Sequence, residues 1–322
     1  MDNQLYRQVM DLYRTRQETN WRIEQQRKDE VFAAHPDIAA LAAHRHDLIL
    51  KGVASIFQQV PQGDLETLMA DYNRQIRQKL SDYGYPEDYL APVYTCTLCR
   101  DTGFVGDTVR QECACFRRAY AQALSAQSGE ESREDTFERF DLTLFPDTPL
   151  PGQTVSQRAC MQVIRTRCER FADTYPAGEA CNLLLHGGSG LGKTYLMHCI
   201  ANRVTRRGLE AVYVTSYELL NQLRNAYFRG NGQDDAFFSE CQLLLIDDLG
   251  MEPLFENVTV ELFYNLLNQR VNRALGTVVS TNLNRVELKK RYTERFTSRL
   301  LDTRTCLDLP FYGEDVRTLR RS

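Results

Sequence analysis

The chain has no run approaching the ~18 apolar residues that cross a bilayer, which excludes a helical membrane protein. It has no surplus of positive charge: the formal net charge is −4, which excludes a globally basic nucleic-acid coat but leaves room for a local basic groove. The opening residues, Met1-Asp2-Asn3-Gln4, do not form a signal peptide. Ten cysteines without a leader therefore point to reduced thiols and a metal, not to a disulfide framework. A cytoplasmic protein with no membrane partner is expected. What is present is ordinary core-forming material, 43% hydrophobic and 25% charged, over 322 residues, a length that allows two domains. The surplus of acid over base lies in residues 1–135, a balance that suits contact with a protein better than with DNA.

One stretch organises the rest. Leu183, Leu184 and Leu185 read as a buried strand that breaks into Gly187-Gly188-Ser189-Gly190-Leu191-Gly192-Lys193-Thr194, and a helical pattern follows from Tyr195. This is the phosphate loop G-x-x-x-x-G-K-[ST], with a strand before it and a helix after. Its glycines let backbone N–H groups turn inward, and the helix presents its positive end to an anion. Lys193 is expected on the β- and γ-phosphates and Thr194 on Mg²⁺. The bland alternative is a glycine-rich turn followed by a chance Lys-Thr. ATP and Mg²⁺ are the expected ligands.

Beyond the loop, strand patterns at 211–215, 242–247, 277–281 and 305–309 alternate with helical patterns, which predicts a parallel sheet covered on both faces. Leu243-Leu244-Leu245-Ile246-Asp247-Asp248-Leu249-Gly250 is a buried strand ending in two acids. Asp247 is the expected Mg²⁺ ligand and Asp248 the group that orients or activates water; a turn or a helix cap is the alternative for the pair. Asn282, just past a strand ending Ser280-Thr281, is placed to hold the lytic water, or is a turn residue. In the following helix Leu288, Tyr292, Phe296 and Leu300 make an apolar stripe at i, i+4 spacing. Arg291, Arg295 and Arg299 run parallel to it, as a solvated face or as fingers for a neighbouring subunit's γ-phosphate.

Residues 1–90 read as polar helices, one of them opened by Pro36-Asp37-Ile38. His35, His44 and His46 are expected to be packed or solvated rather than ligating. Cys96 and Cys99 form one knuckle and Cys113 with Cys115 a second, with two short strands expected between them. Four thiolates across a hairpin suit structural Zn²⁺, with free cysteines or an iron–sulfur cluster as alternatives. The polar, acidic stretch 125–136 reads as a linker. The expected division is a helical and zinc-bearing partner-binding domain over 1–124, this linker, and an ATPase domain over 137–322. Phe137, Phe140 and Phe145 are expected to cover the edge of the second domain or to approach the nucleotide base.

Together these residues resemble the AAA+ ATPases of the DnaC/DnaI helicase-loader type. Residues 187–194 match Walker A and 243–250 match the Leu-Ile-Asp-Asp-Leu-Gly form of Walker B. Asn282 falls at sensor 1, Ser298-Arg299-Leu300 at the arginine-finger box and Arg317 at a short sensor 2 segment. Gly84 to Leu90, with Tyr94, the cysteine knuckles and Gly103, are similar to loaders of Gram-positive bacteria and their phages. The resemblance implies a five-stranded parallel sheet of order 5-1-4-3-2, ATP at subunit interfaces, self-association when ATP is bound, and docking on a hexameric replicative helicase. It also implies single-stranded DNA contact by the helix after the second strand, with Tyr217, Arg224, Tyr227 and Arg229 as candidates; Leu220, Leu223 and Tyr227 equally make a plain buried face. Two departures stand out: Asp248 replaces the usual Glu, which implies slow turnover, and little chain follows Arg317 to form a lid. An IstB-like transposition ATPase and a non-hydrolysing ATP-dependent adaptor are the rival readings. A small-molecule kinase is more distant, since no acceptor-site motif is present.

Overall fold

The computed structural model describes residues 3–57, 65–106, 108, 110–127, 135–149, 152, 154–229, 233–256, 258–302 and 304–319; most of the expected linker lies outside them. The chain forms two compact units, Met10–Gln111 and Met1–Val9 joined with Glu112–Ser322.

Three long helices open the chain: α1 (Asn3–Ala34), α2 (Pro36–Phe57) and α3 (Leu65–Asp82). Pro36 suits the first position of α2, where it has no intrahelical N–H to lose. Asp37 in the same turn receives Lys79 Nζ of α3 at 2.5 Å, while Val31, Ile38, Ile76 and Leu80 close the small core between the helices. His35 stacks on Tyr83 and His46 is exposed, so the histidines are packed or solvated, as expected. The hairpin β1 (Phe104–Val105) and β2 (Gln111–Glu112) separates the cysteine pairs.

The second unit adds a helix the sequence reading lacked, α4 (Ala114–Gln127). Phe116, Tyr120 and Leu124 are buried, the Tyr120 ring meets Phe237 edge-on, and Arg117 Nε pairs with Glu210 Oε1 at 3.0 Å. Then come α5 (Gln157–Thr174), β3 (Asn182–Gly187), α6 (Lys193–Arg206), β4 (Ala211–Thr215), α7 (Ser216–Arg229), α8 (Gln233–Glu240), β5 (Leu243–Leu249), α9 (Thr259–Asn272), β6 (Gly276–Thr281), α10 (Arg285–Leu300), β7 (Cys306–Phe311) and the short α11 (Val316–Leu319). The sheet runs β4-β5-β6-β3-β7, with every pairing parallel. Numbered along the ATPase region alone, this is the order 5-1-4-3-2. β3 lies inside the sheet and its Leu183, Leu184 and Leu185 are fully buried, as an apolar run requires in a sheet covered on both faces.

A charged side chain locks the opposite end of the sheet. Arg270 of α9 is fully buried and donates to the carbonyls of Phe238 (2.7 Å), Cys241 (2.9 Å) and Gly276 and to Thr277 Oγ1 (3.0 Å). Backbone oxygens at strand and helix ends are gathered by one guanidinium fork.

Candidate functional site

β3 delivers the chain into the phosphate loop and α6 leads it out. Gly187 sits at φ +139°, and a Cβ there would lie 2.2 Å from the Phe311 carbonyl oxygen; at Gly190, φ +69°, it would overlap the Asp315 carboxylate. These two positions need glycine for conformation and for space at once. Lys193 is buried, and its Nζ donates to the carbonyls of Gly187 (2.8 Å) and Gly188 (2.6 Å) and to Asn282 Oδ1 (2.8 Å). Burial pulls its pKa down and the charges of Asp248 and Asp247 oppose that. Phe140 stacks on Phe145 and meets Tyr195 edge-on. Phe137 and Phe145 are buried and Phe140 packs against the same core, so the phenylalanines cover the domain beside the loop.

The two acids at the tip of β5 are parted by a bulge. Ile246 pairs with Val279 and pairing resumes at Leu249 with Thr281, so Asp247 and Asp248 together oppose Ser280. Ser280 serves both: its hydroxyl donates to Asp247 Oδ1 and accepts from the Asp248 N–H at 2.9 Å. Asp247 is buried and also accepts from Tyr213 Oη at 2.7 Å. Asp248, at φ +52°, leaves the sheet interior and forms part of the cavity wall. Burial and the Asp247 charge raise its pKa, with Lys193 opposing.

The resulting cavity measures about 540 Å³ and is lined by residues 189–195 of the loop together with Asp248, Asn282 and Arg317. Arg317 Nη2 donates to Ser189 Oγ at 2.6 Å while its guanidinium pairs with Asp315. Gln157, buried at the start of α5, holds that segment in place by donating to the Glu314 carbonyl and accepting from the Glu314 N–H, both at 3.0 Å. Asp135 and His198 also line the cavity, with His198 Nδ1 3.0 Å from the Asp135 carboxylate. The donor set suits a triphosphate with a hard cation: a pinned ammonium, loop N–H groups, a hydroxyl at Thr194 and two carboxylates.

The profile of the family described as "IstB-like ATP binding protein" matches residues 160–321, half of the chain and every residue lining this pocket except Asp135. The chain belongs to the IstB-like ATP-binding protein family. It is 29% identical over 136 residues to the chromosomal replication initiator protein DnaA of Campylobacter jejuni subsp. doylei, covering 41% of this chain and 30% of that protein. To the DnaA of Chloroflexus aggregans it is 36% identical over 119 residues, covering 36% of this chain and 24% of that protein. The chain thus spans less than a third of the length of these two relatives. Among solved structures, the DnaC helicase loader aligns at 17% identity with a TM-score of 0.47, over 57% of this chain and 99% of that one. DnaI aligns at 25% identity with a TM-score of 0.42, over 56% of this chain and 92% of that one.

In this IstB-like protein the row of three arginines is broken. α10 starts with a capping box, Asn284 accepting from Val286 and Glu287 N–H while Glu287 reaches back, and it bends at Thr293 (φ 78°, ψ 161°). Arg291, before the bend, is taken up by the Glu252 carbonyl at 2.5 Å. Arg295 is exposed and Arg299 half-buried beyond the bend, and neither is among the residues lining the chain's own cavity. Leu288, Tyr292, Phe296 and Leu300 are all buried, so the apolar stripe survives the bend.

On α7, Leu219, Leu220, Leu223 and Ala226 form the buried face, whereas Tyr217, Tyr227 and Phe228 are more than half exposed. Tyr227 therefore does not belong to the core face to which its spacing equally assigned it. The Arg224 guanidinium sits over the Phe255 ring at 4.8 Å. The side chain of Arg229, and residues 230–232 of the loop, lie outside the described residues.

The Sγ atoms of Cys96, Cys99, Cys113 and Cys115 all lie within 4.8 Å of one another, a set that fits one tetrahedral Zn²⁺. Residue spacing alone carries no sign of what orders this knuckle. Asp101 is 1% exposed and accepts from the Cys96 N–H and the Thr95 N–H, each at 2.8 Å, and from Asn20 Nδ2 at 2.8 Å. Asp135, His198, Gln157 and Ser280 were missed likewise, because each acts through a partner tens of residues away in the chain.

Proposed function

We propose that this chain is an ATP-dependent loader of a hexameric replicative DNA helicase onto single-stranded DNA, with slow hydrolysis acting as its switch. The observation that carries the reading is a pocket furnished with Lys193, Asp248, Asn282 and Arg317 but not with Arg295 or Arg299. Such a pocket is completed by another copy: Arg299 or Arg295 of the neighbour meets the γ-phosphate when ATP draws the ATPase domains together. Lys193 and Arg317 hold the phosphates, Asp248 takes the water's proton, and Asn282 fixes the water once a phosphate draws Lys193 away from it. Thr194 and Asp247 would hold Mg²⁺, which neutralises phosphate charge when bound. Residues 1–124 grip the helicase, with Zn²⁺ on the four cysteines keeping their hairpin folded. Tyr217, Tyr227, Arg224 and Arg229 offer stacking and phosphate contacts to the DNA. Family membership and relatives named as replication initiators support a role in replication, and the setting proposed for it is the cytoplasm.

The test is a pull-down with a hexameric replicative helicase, with and without ATP. Retention whose extent changes with ATP, accompanied by phosphate release, is expected; absence of binding in both conditions sinks the reading. The family match itself favours one alternative, a transposition accessory ATPase, which retention by a transposase and not by the helicase selects. Loss of the partner on ATP addition without any phosphate release selects a non-hydrolysing adaptor.

A further inference from the structure

Glu252 is a carboxylate with no part in the chemistry above, yet its side chain is fully buried. It follows the phosphate-facing tip of β5 by four residues and gathers three donors. The Gly250 N–H reaches its Oε2 at 2.9 Å, the Tyr292 hydroxyl donates to its Oε1, and Arg291 Nη2 lies 3.6 Å from Oε1 while donating to its carbonyl at 2.5 Å. Thr281 Oγ1, donating to the Leu249 carbonyl at 2.5 Å, ties the same turn to the end of β6. The chain of contact continues past the bend in α10, because the Tyr292 ring stacks on Phe296 with centroids 4.7 Å apart. Phe296 follows Arg295 directly and precedes Arg299 by three residues.

We propose that Glu252 is a positioning residue: it fastens the turn after Asp248 to Tyr292 and Arg291 and thereby sets where Arg295 and Arg299 are presented to a neighbouring copy. This rests on the reading that these arginines act in trans. Its particular content is that losing Glu252 is felt at the neighbour's pocket and not at its own. A carboxylate is required because the Gly250 N–H and the Tyr292 hydroxyl each take a different oxygen beside the Arg291 charge; the amide of a glutamine has one acceptor and turns its own N–H groups on a donor.

The experiment uses full-length chains in mixed assemblies. An acceptor subunit carries Arg295→Ala and Arg299→Ala, and a donor carries Asp248→Asn, so that only acceptor pockets facing donor arginines hydrolyse ATP. Glu252→Gln in the donor should cut kcat about ten-fold with KM within about two-fold, whereas in the acceptor it should change the rate less than about two-fold. A loss that follows the acceptor, or no loss in either, overturns the assignment. If the parent pair is inactive while the unmodified protein hydrolyses, it is the trans-arginine reading that fails. A readout independent of turnover is amide exchange with a non-hydrolysable ATP analogue: Glu252→Gln should speed exchange over 294–300 about ten-fold and leave 188–200 unchanged. Unchanged protection over 294–300 overturns the proposal, whatever the rates. Tyr292→Phe, which keeps the ring stack and loses only the hydroxyl, should give a smaller effect of the same kind; a Tyr292→Phe loss that followed the acceptor would overturn it too.

Discussion

At the scale of single residues, the pocket is a set of charges held ready by neighbours. Lys193 already spends its three donors on two carbonyls and Asn282, so a triphosphate offers it charged partners in place of neutral ones. Lys193→Ala should weaken ATP binding about 100-fold, the worth of about 3 kcal/mol of charge-assisted contact; isothermal titration with full affinity retained would contradict the assignment. Asp248 gives a pH signature. Burial and Asp247 hold its pKa above the ordinary aspartate range, so it takes up a proton at a higher pH than a free aspartate does. A base works only when ionised, and hydrolysis should therefore fall as pH drops through that raised value. A kcat/KM profile flat down to the range of a free aspartate would remove Asp248 from the role of base.

At the scale of elements, the sheet depends on Arg270 as much as on its leucines. Replacing it with Met keeps the volume but strands the Phe238, Cys241 and Gly276 carbonyls. About 2–4 kcal/mol of stability should be lost as these carbonyls lose their donors, read as a lower urea midpoint with an unchanged slope. The strands themselves were legible because an apolar run bounded by glycine, or by paired acids, has few other fates. Arg270 was not: it falls on the apolar face of α9, seven residues after Phe263 and four after Leu266, where a charged side chain reads as a break in the stripe, and only the meeting of α8, β5 and β6 gives it partners in the interior. The bulge at Asp247 and the bend at Thr293 were illegible for a related reason. Both are places where a neighbouring element overrides local preference, and Thr293 is a β-branched residue that no pattern would put at positive φ.

At the scale of the whole molecule, the phosphate loop, the acidic strand tip and the four cysteines could all be read before any fold was known, since each is a local spacing, whereas the strand order followed only from the family resemblance. What binds them into a working object is long-range: Gln157 on Glu314, Asp135 on His198, Asp101 on the cysteine knuckle. The last of these is open to a direct test by metal analysis. One zinc per chain is expected, and removal by a chelator should make 94–116 protease-sensitive. Asp101→Ala should loosen zinc about 10–100-fold; a metal-free chain with this stretch still protected would refute the structural role.

The bend in α10 carries one further consequence. Thr293 occupies a region of backbone space in which glycine alone rests easily, at a standing cost of about 1–3 kcal/mol. A glycine there would be a loose joint, free to sample many angles. A threonine has almost nowhere else to go without unwinding its neighbours, so the short helix beyond it behaves as a hand on a stiff wrist, aimed before anything arrives to be touched.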